Sequence, residues 1–447
     1  MKIKGKKFVS CIGLLSLALN TYAQDAGVKG HIDLTLDKAI EIALAENPTI
    51  KVADKDIRLK EIADKEAWQN LLPTVDAGFA LSHSIKVAAI KTQMGEFKMG
   101  QDGSTTATGS LTLSLPLFAP AVYQNMKLTK EDIQLAQEKA RSSRLDLVNQ
   151  VTKAYYAALL SQDSYKVMEK SYKTAKDNAD LIKARFEVGS VSEYDKISAD
   201  VQARSMNSNL VNAKTGVTLS MLQLKVLMGV TADVDITIAD SLKRYENSLT
   251  LPGTSADEES LSDNSTLRQL DMNMAILQRS RKILNTNFMP TLALQLQGQY
   301  LSYSNQDWNF INYKYSPAAT LAISLSVPIF HASSWTKLKS NKLQIEQLED
   351  TRLNTKRQLS LAIESYKQNM ASTIAQVESN REAVLQADKA VKISSKRYEI
   401  GGGTVYELNQ SETAYTQTEL TYAQSIYNYL TSRADLEYTL GRETYIK

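Results

Sequence analysis

The side chains best able to do chemistry are few and scattered. The three histidines, His31, His83 and His331, stand alone, with no second ligand at metal-binding spacing. A lone imidazole in or beside a strand is ordinarily structural. Gly401-Gly402-Gly403 is a glycine run, but the Lys-Ser/Thr pair that completes a phosphate loop does not follow it. Serines are plentiful, yet none sits in a nucleophile elbow with a histidine partner in a recognisable order. Two acids do have a defined place: Asp195 and Glu407 each stand three residues after a hydroxyl, in Ser192-x-x-Asp195 and Thr404-x-x-Glu407. That spacing reads as a capping box, which starts a helix. The expectation is a protein that is not an enzyme and holds no metal and no cofactor.

Composition narrows the class further. The chain has 447 residues, 23% charged and 43% hydrophobic, with 18 Gly, 8 Pro and one Cys. No stretch after the N-terminus offers ~20 uninterrupted apolar residues, so a polytopic helical membrane protein is excluded. The formal net charge is +3, but Lys2, Lys4, Lys6 and Lys7 all precede the apolar run Phe8 to Leu19. Without those four the chain carries 48 basic and 49 acidic residues, so no basic field for nucleic acid remains. Residues 1–23 read as a secretory signal peptide: the run is too short to span a bilayer, and Thr21-Tyr22-Ala23 closes it with a small residue. Cys11 lies inside that run, so the mature chain is expected to have no disulfide.

The remainder is written twice. Pro116-Leu117-Phe118 recurs as Pro328-Ile329-Phe330, and Arg185-Phe186-Glu187-Val188-Gly189 recurs as Arg397-Tyr398-Glu399-Ile400-Gly401, both 212 residues later. Leu72-Pro73-Thr74 matches Met289-Pro290-Thr291 at 217, so one connection in the second copy is five residues shorter. The copies span 24–248 and 261–447, and the acidic, Ser-rich stretch 249–260 links them. Each copy has the same order: an opening helix, two strands, a very long helix, a glycine-marked turn and a shorter return helix.

The strand pairs are expected at Thr74–Ile85 with Ala107–Phe118, and at Thr291–Tyr303 with Ala318–Phe330. Each alternates with period two; Leu321, Ile323, Leu325 and Val327 oppose Thr320, Ala322, Ser324 and Ser326. These four segments hold one charge, Asp76, where the chain-wide 23% would place about 11. A soluble sheet ordinarily shows Lys and Glu on its wet face. This one shows Gln, Ser, Thr and Gly, which fits strands of a transmembrane barrel. The aromatic connection (Tyr303, Trp308, Phe310, Tyr313, Tyr315) suits an interfacial or external loop.

The long helices exceed what a globular core can use. After Pro120 neither proline nor glycine occurs up to Val188, which allows an unbroken helix ~100 Å long. Seven-residue spacing persists along it, in Met126, Ile133, Ala140, Leu147 and Ala154, and again in Ile363, Met370, Val377, Val384, Val391 and Tyr398. That is a coiled-coil seam. The return helices Ser192–Met228 and Thr404–Leu440 are about half as long, so two short helices end to end would cover one long helix. Four strands cannot close a barrel in lipid, and small barrels begin at eight strands. The chain must therefore share a barrel with copies of itself. Twelve strands from three copies would leave a wet lumen, continuous with a helical tube reaching into a periplasm.

On the duplicated Pro-apolar-Phe exits and Arg-aromatic-x-x-Gly turns, in that order and spacing, the sequence resembles the TolC-like outer-membrane channel family over essentially the whole mature chain. The resemblance implies a mixed α/β membrane fold: a homotrimer with a shared 12-strand β-barrel in outer-membrane lipid and a long α-helical coiled-coil periplasmic tunnel. It implies an exit duct of a tripartite efflux pump or a type I secretion system. The partners would be a periplasmic adaptor protein and an inner-membrane transporter driven by protons or ATP, with no nucleic acid. The tip turns Val188, Gly189, Ser190, Val191 and Ile400, Gly401, Gly402, Gly403 would contact the adaptor. Asp195, Tyr398, Glu407 and Gln410 fall on positions where the family closes its tip with links and acidic rings. Gly403 stands where that pattern has an arginine, and Gln410 where it has a second acid, which implies one acidic ring and fewer locks. Helix capping alone also accounts for Asp195 and Glu407. An envelope coiled-coil protein of structural or adhesive role would explain the heptads without the strands. An autonomous porin would explain the strands without the tunnel-length helices.

Overall fold

The computed structural model describes residues 32–92, 95–98, 101–250 and 261–442. The secretory segment 1–23 and most of the inter-repeat linker lie outside them. The elements run as follows. In the first copy, α1 (Leu36–Glu46) and α2 (Pro48–Gln69) lead into strand β2 (Thr74–Ser84) and, after a small hairpin of β3 (Ala89–Thr92) and β4 (Gly95–Lys98), strand β5 (Ser104–Phe118). Then come α3 (Pro120–Glu187) and α4 (Glu193–Met228). In the second, α5 (Ser265–Thr286), β7 (Thr291–Asn305), β8 (Ser316–Ser326), α6 (Ala332–Glu399) and α7 (Val405–Thr439) follow. A short parallel pair, β1 (Ile32–Asp33) with β6 (Ile236–Thr237), and a 3-10 turn at Leu242–Ser248 pack at mid-height.

Both long helices run 68 residues, about 100 Å. The return helices have 36 and 35 residues, and each is continued along its long helix by the opening helix of the same repeat. The opening stretch of the first copy is not one helix, as its pattern suggested. It breaks at Asn47-Pro48, because proline has no N–H for the preceding turn and starts α2 instead.

One asparagine per repeat makes the splice between the two short helices. Asn47 Oδ1 accepts from the Thr49 N–H at 2.8 Å and caps α2, while its Nδ2 donates to the Leu227 carbonyl, 2.7 Å away, at the end of α4. Asn264 repeats this, accepting from the Leu267 N–H at 3.1 Å and donating to the Thr439 carbonyl at 2.7 Å. An amide carries an acceptor and donors on one short side chain, so it satisfies a helix start and a helix end together. The glycine that ends each return helix, Gly229 or Gly441, has positive φ and lies against this junction. A Cβ on Gly441 would stand 2.1 Å from the Asp263 carbonyl oxygen. No side chain fits there.

The four long strands form one antiparallel sheet in the order β2-β5-β7-β8, so the repeats join through β5 and β7. The register puts like with like: Val75, Leu113, Leu296 and Leu321 form one row across the sheet. The next row, Asp76, Thr112, Gln297 and Thr320, lies on the other face. Leu296, Leu321, Ile323 and Leu325 are all exposed. An apolar sheet face that no helix of its own chain covers is a lipid-facing surface.

Five strand limits differ from the sequence reading: β2 ends at Ser84 rather than Ile85, β7 ends at Asn305 rather than Tyr303, β8 begins at Ser316 rather than Ala318, and two shifts are larger. β5 begins at Ser104 rather than Ala107, and β8 ends at Ser326 rather than Phe330. The duplicated Pro-apolar-Phe is thus not the same feature twice. Pro116 lies inside β5, opposite Ala293, at a register shift that absorbs its missing N–H. Pro328 follows β8, an edge strand in the single chain, and the chain leaves the sheet before it.

Candidate functional site

The tip is made by the two glycine turns. α3 ends with Gly189 at φ 74°, and α6 ends with Gly401 at φ 79°. In both, the N–H after the glycine donates to the carbonyl five residues back: Ser190 to Arg185 at 2.9 Å, and Gly402 to Arg397 at 2.8 Å. The glycine N–H donates to Phe186 or to Tyr398. This is the Schellman arrangement, and it needs the left-handed conformation that glycine adopts without penalty. The residues before the glycines are left standing out, Val188 at 79% and Ile400 at 82% exposure. Ser190 turns its hydroxyl back to the Arg185 carbonyl, and Val191 is half-buried against the tip core.

The return helices start differently in the two hairpins. Ser192 and Asp195 form a complete capping box: the Asp195 N–H donates to Ser192 Oγ at 3.1 Å, and the Ser192 N–H donates to Asp195 Oδ2 at 3.3 Å. Thr404 accepts from the Glu407 N–H, but the Glu407 carboxylate does not return to Thr404, so the second box is only half made. Its oxygen lies 3.8 Å from Arg397 instead. Arg397 folds over the turn and donates to the Gly402 carbonyl at 3.0 Å. A Cβ on Gly403 would come within 3.2 Å of the Arg397 side chain, so the short residue there makes room for this clasp.

Of the four gate candidates, Asp195 and Tyr398 are brought together, across the two hairpins. Tyr398 is buried with Ile182, Ala199, Val405 and Leu408, and Arg185 lies over its ring at 5.5 Å. Burial pushes the Tyr398 phenol above its ordinary value; Arg185 opposes this and Asp195 adds to it. Glu407 and Gln410 share an exposed face of α7 and stand apart from that cluster's core. Sequence reasoning missed Tyr194 and Tyr406, exposed at 70% and 65%, which occupy the same place in the two repeats, six residues after Val188 and Ile400. The signal was there: an aromatic residue two positions after each capping hydroxyl.

At the other end of the chain, His83 stacks on Trp308 at 4.8 Å and Phe79 meets Phe310 at 5.5 Å, so the aromatic connection folds back onto β2. Among the described residues no group of three or more His, Cys, Asp or Glu is placed to hold a metal, and no helix is long and apolar enough to cross a membrane.

A sheet with an uncovered apolar face, two open edges, tunnel-length helices and a glycine-turned tip now stand on one chain. Residues 39–230 and 258–442 match the family described as outer membrane efflux protein, one block per repeat. The chain belongs to that family. Its members are channels, not a class of enzyme, and this protein is an outer-membrane efflux channel whose helices extend into the periplasm. Outer membrane protein TolC of Salmonella enteritidis is 20% identical over 418 residues, 89% of this chain and 80% of the relative. The Campylobacter jejuni CmeC outer membrane channel superposes with a TM-score of 0.73 at 16% identity, covering 91% of this chain and 85% of that one. The open state of the Neisseria gonorrhoeae MtrE outer membrane channel gives 0.71 at 16%, over 91% and 89%. At such identities the structures speak for the fold, which the uncovered sheet and paired hairpins had already indicated.

Proposed function

We propose that three copies of this chain close one twelve-strand barrel and one helical tube, and that the tube's tip docks a periplasmic adaptor. The observation that carries this is the pair of free edges, β2 and β8, on a sheet whose apolar face is bare. Unpaired strand edges are not tolerated in lipid, and three four-stranded sheets make a barrel wide enough for a lumen. Each copy spends residues 24–248 and 261–447 on the same unit, with 249–260 as the tie between them.

The adaptor would meet Val188, Gly189, Ser190 and Val191 on one hairpin and Ile400, Gly401, Gly402 and Gly403 on the other, with the exposed Tyr194 and Tyr406 on the return helices that follow. An inner-membrane transporter driven by protons or ATP would feed the duct through that adaptor. Asp195, Tyr398, Glu407 and Gln410 would line or lock the aperture. A cell lacking the protein should accumulate a dye that the intact cell expels, or retain a protein that it secretes. Replacing Val188–Val191 by an unrelated loop should abolish transport while the oligomer persists. Normal transport by that variant would sink the docking assignment.

A further inference from the structure

Around Lys170 to Asn178 the two hairpins meet through polar atoms, and nearer the tip Ile182 and Ala199 of the first pack with Tyr398, Val405 and Leu408 of the second in one small apolar cluster. Lys170 Nζ donates to Tyr415 Oη at 2.9 Å, and the Ser171 and Thr416 hydroxyls lie 2.7 Å apart. Gln202 donates to Thr413 Oγ1 at 3.1 Å, and Asn178 Nδ2 donates to Glu412 Oε1 at 2.5 Å. Glu412 is the only acid on this seam with its side chain taken out of water, at 9% exposure. We propose that the lower seam is a proton-operated latch: neutral Glu412 keeps the second hairpin against the first, and ionised Glu412 lets the two part at the tip.

The charged groups around the seam are engaged elsewhere. On α3, Lys170 is tied to Tyr415, which donates in turn to Glu419 of α7, and Asp388 of α6 acts on Lys170. Arg185 of α3 and Asp195 of α4 act on Tyr398, and Arg204 of α4 pairs with Asp200. None of them acts on Glu412. Burial pushes its carboxyl up to about 7, and the hydrogen bond from Asn178 opposes that rise.

Parting the seam returns the carboxyl to water, where a glutamate titrates near ~4.3. Below that pH both arrangements are neutral and the closed seam has its full advantage. Between there and about 7 only the parted arrangement loses its proton, so closure weakens as pH rises. Above about 7 both are ionised and the balance is flat. The largest shift this allows in the closed-to-parted ratio is roughly five-hundredfold.

The test uses the assembled full chain. Its one cysteine, Cys11, lies in the leading segment, so Lys183→Cys on α3 and Ala414→Cys on α7, both exposed, give clean spin-label sites. The interhairpin distance should lengthen between pH 5 and 8. Glu412→Gln, neutral at every pH and of the same shape, should hold the short distance throughout. Asn178→Asp sets a second carboxylate beside Glu412 and should move the transition to higher pH. A distance that does not change with pH overturns the latch, and so does a curve unaltered by Glu412→Gln or by Asn178→Asp. The measurement needs no substrate, adaptor or transport, so the latch and the duct reading can fail separately.

Discussion

Between Leu147 and Leu159, α3 shares a core with Ile426, Tyr429, Leu430 and Leu436 of α7, all buried. Between Lys170 and Asn178 the same two helices meet through an amine, hydroxyls, an amide and a carboxyl. The upper seam loses its whole contribution when it opens, since water gives nothing back to apolar surface. The lower seam exchanges hydrogen bonds with water at a net cost of only about 1 kcal/mol each. One continuous pair of helices therefore has a broad apolar seam above and, below it, a polar seam backed at the tip only by the small cluster of Ile182, Ala199, Tyr398, Val405 and Leu408. That division suits a duct anchored in a membrane and worked from its tip.

The sharpest way to break this division is at the splice. Gly441→Ala combines a left-handed residue with a clash against Asp263 and should cost about 3–5 kcal/mol, read as a fall in the thermal midpoint. Gly189→Ala, with open space around it, should cost only about 1 kcal/mol. Next, Leu159→Ala in the upper seam should cost about 3 kcal/mol, against about 1 kcal/mol for Ser171→Ala in the lower. Equal losses would erase the contrast between the seams.

Asn264→Ala removes a helix cap and strands the Thr439 carbonyl, and should cost about 2 kcal/mol in chemical unfolding. The smallest effect separates the two tip hairpins. Ser192→Ala, which undoes a complete box, should destabilise its hairpin by about 1 kcal/mol. Glu407→Gln should be nearly silent in stability, because its carboxylate takes no part in the cap and its pairing with Arg397 is half-exposed. Local amide exchange at the two turns would read both.

Much of this was legible in the sequence because it depends on period. Alternation in Leu321 to Val327 marks a sheet face, and the absence of glycine and proline from 121 to 187 marks one long helix. What depends on a distant partner was not legible. Asn47 looks like any helix cap, and its second bond reaches a residue 180 positions away. Pro116 and Pro328 read alike, yet Pro116 stays inside its strand opposite Ala293 of β7, and Pro328 comes after an edge strand has ended. Thr404 and Glu407 have the spacing of a box, but Arg397, from the preceding helix, draws the carboxylate off. Glu412 reads as a solvated charge on a helix, and only the fold places Asn178 against it and takes away its water.

The measurement closest to the central claim is the protein mass of the detergent-extracted particle, by light scattering, with fractionation of its source membranes. Three chains in an outer-membrane particle are expected, because only copies of β2 and β8 can satisfy one another's open edges. A monomer, or a soluble periplasmic species, would mean that the four strands close in some other way, and the shared barrel would be wrong.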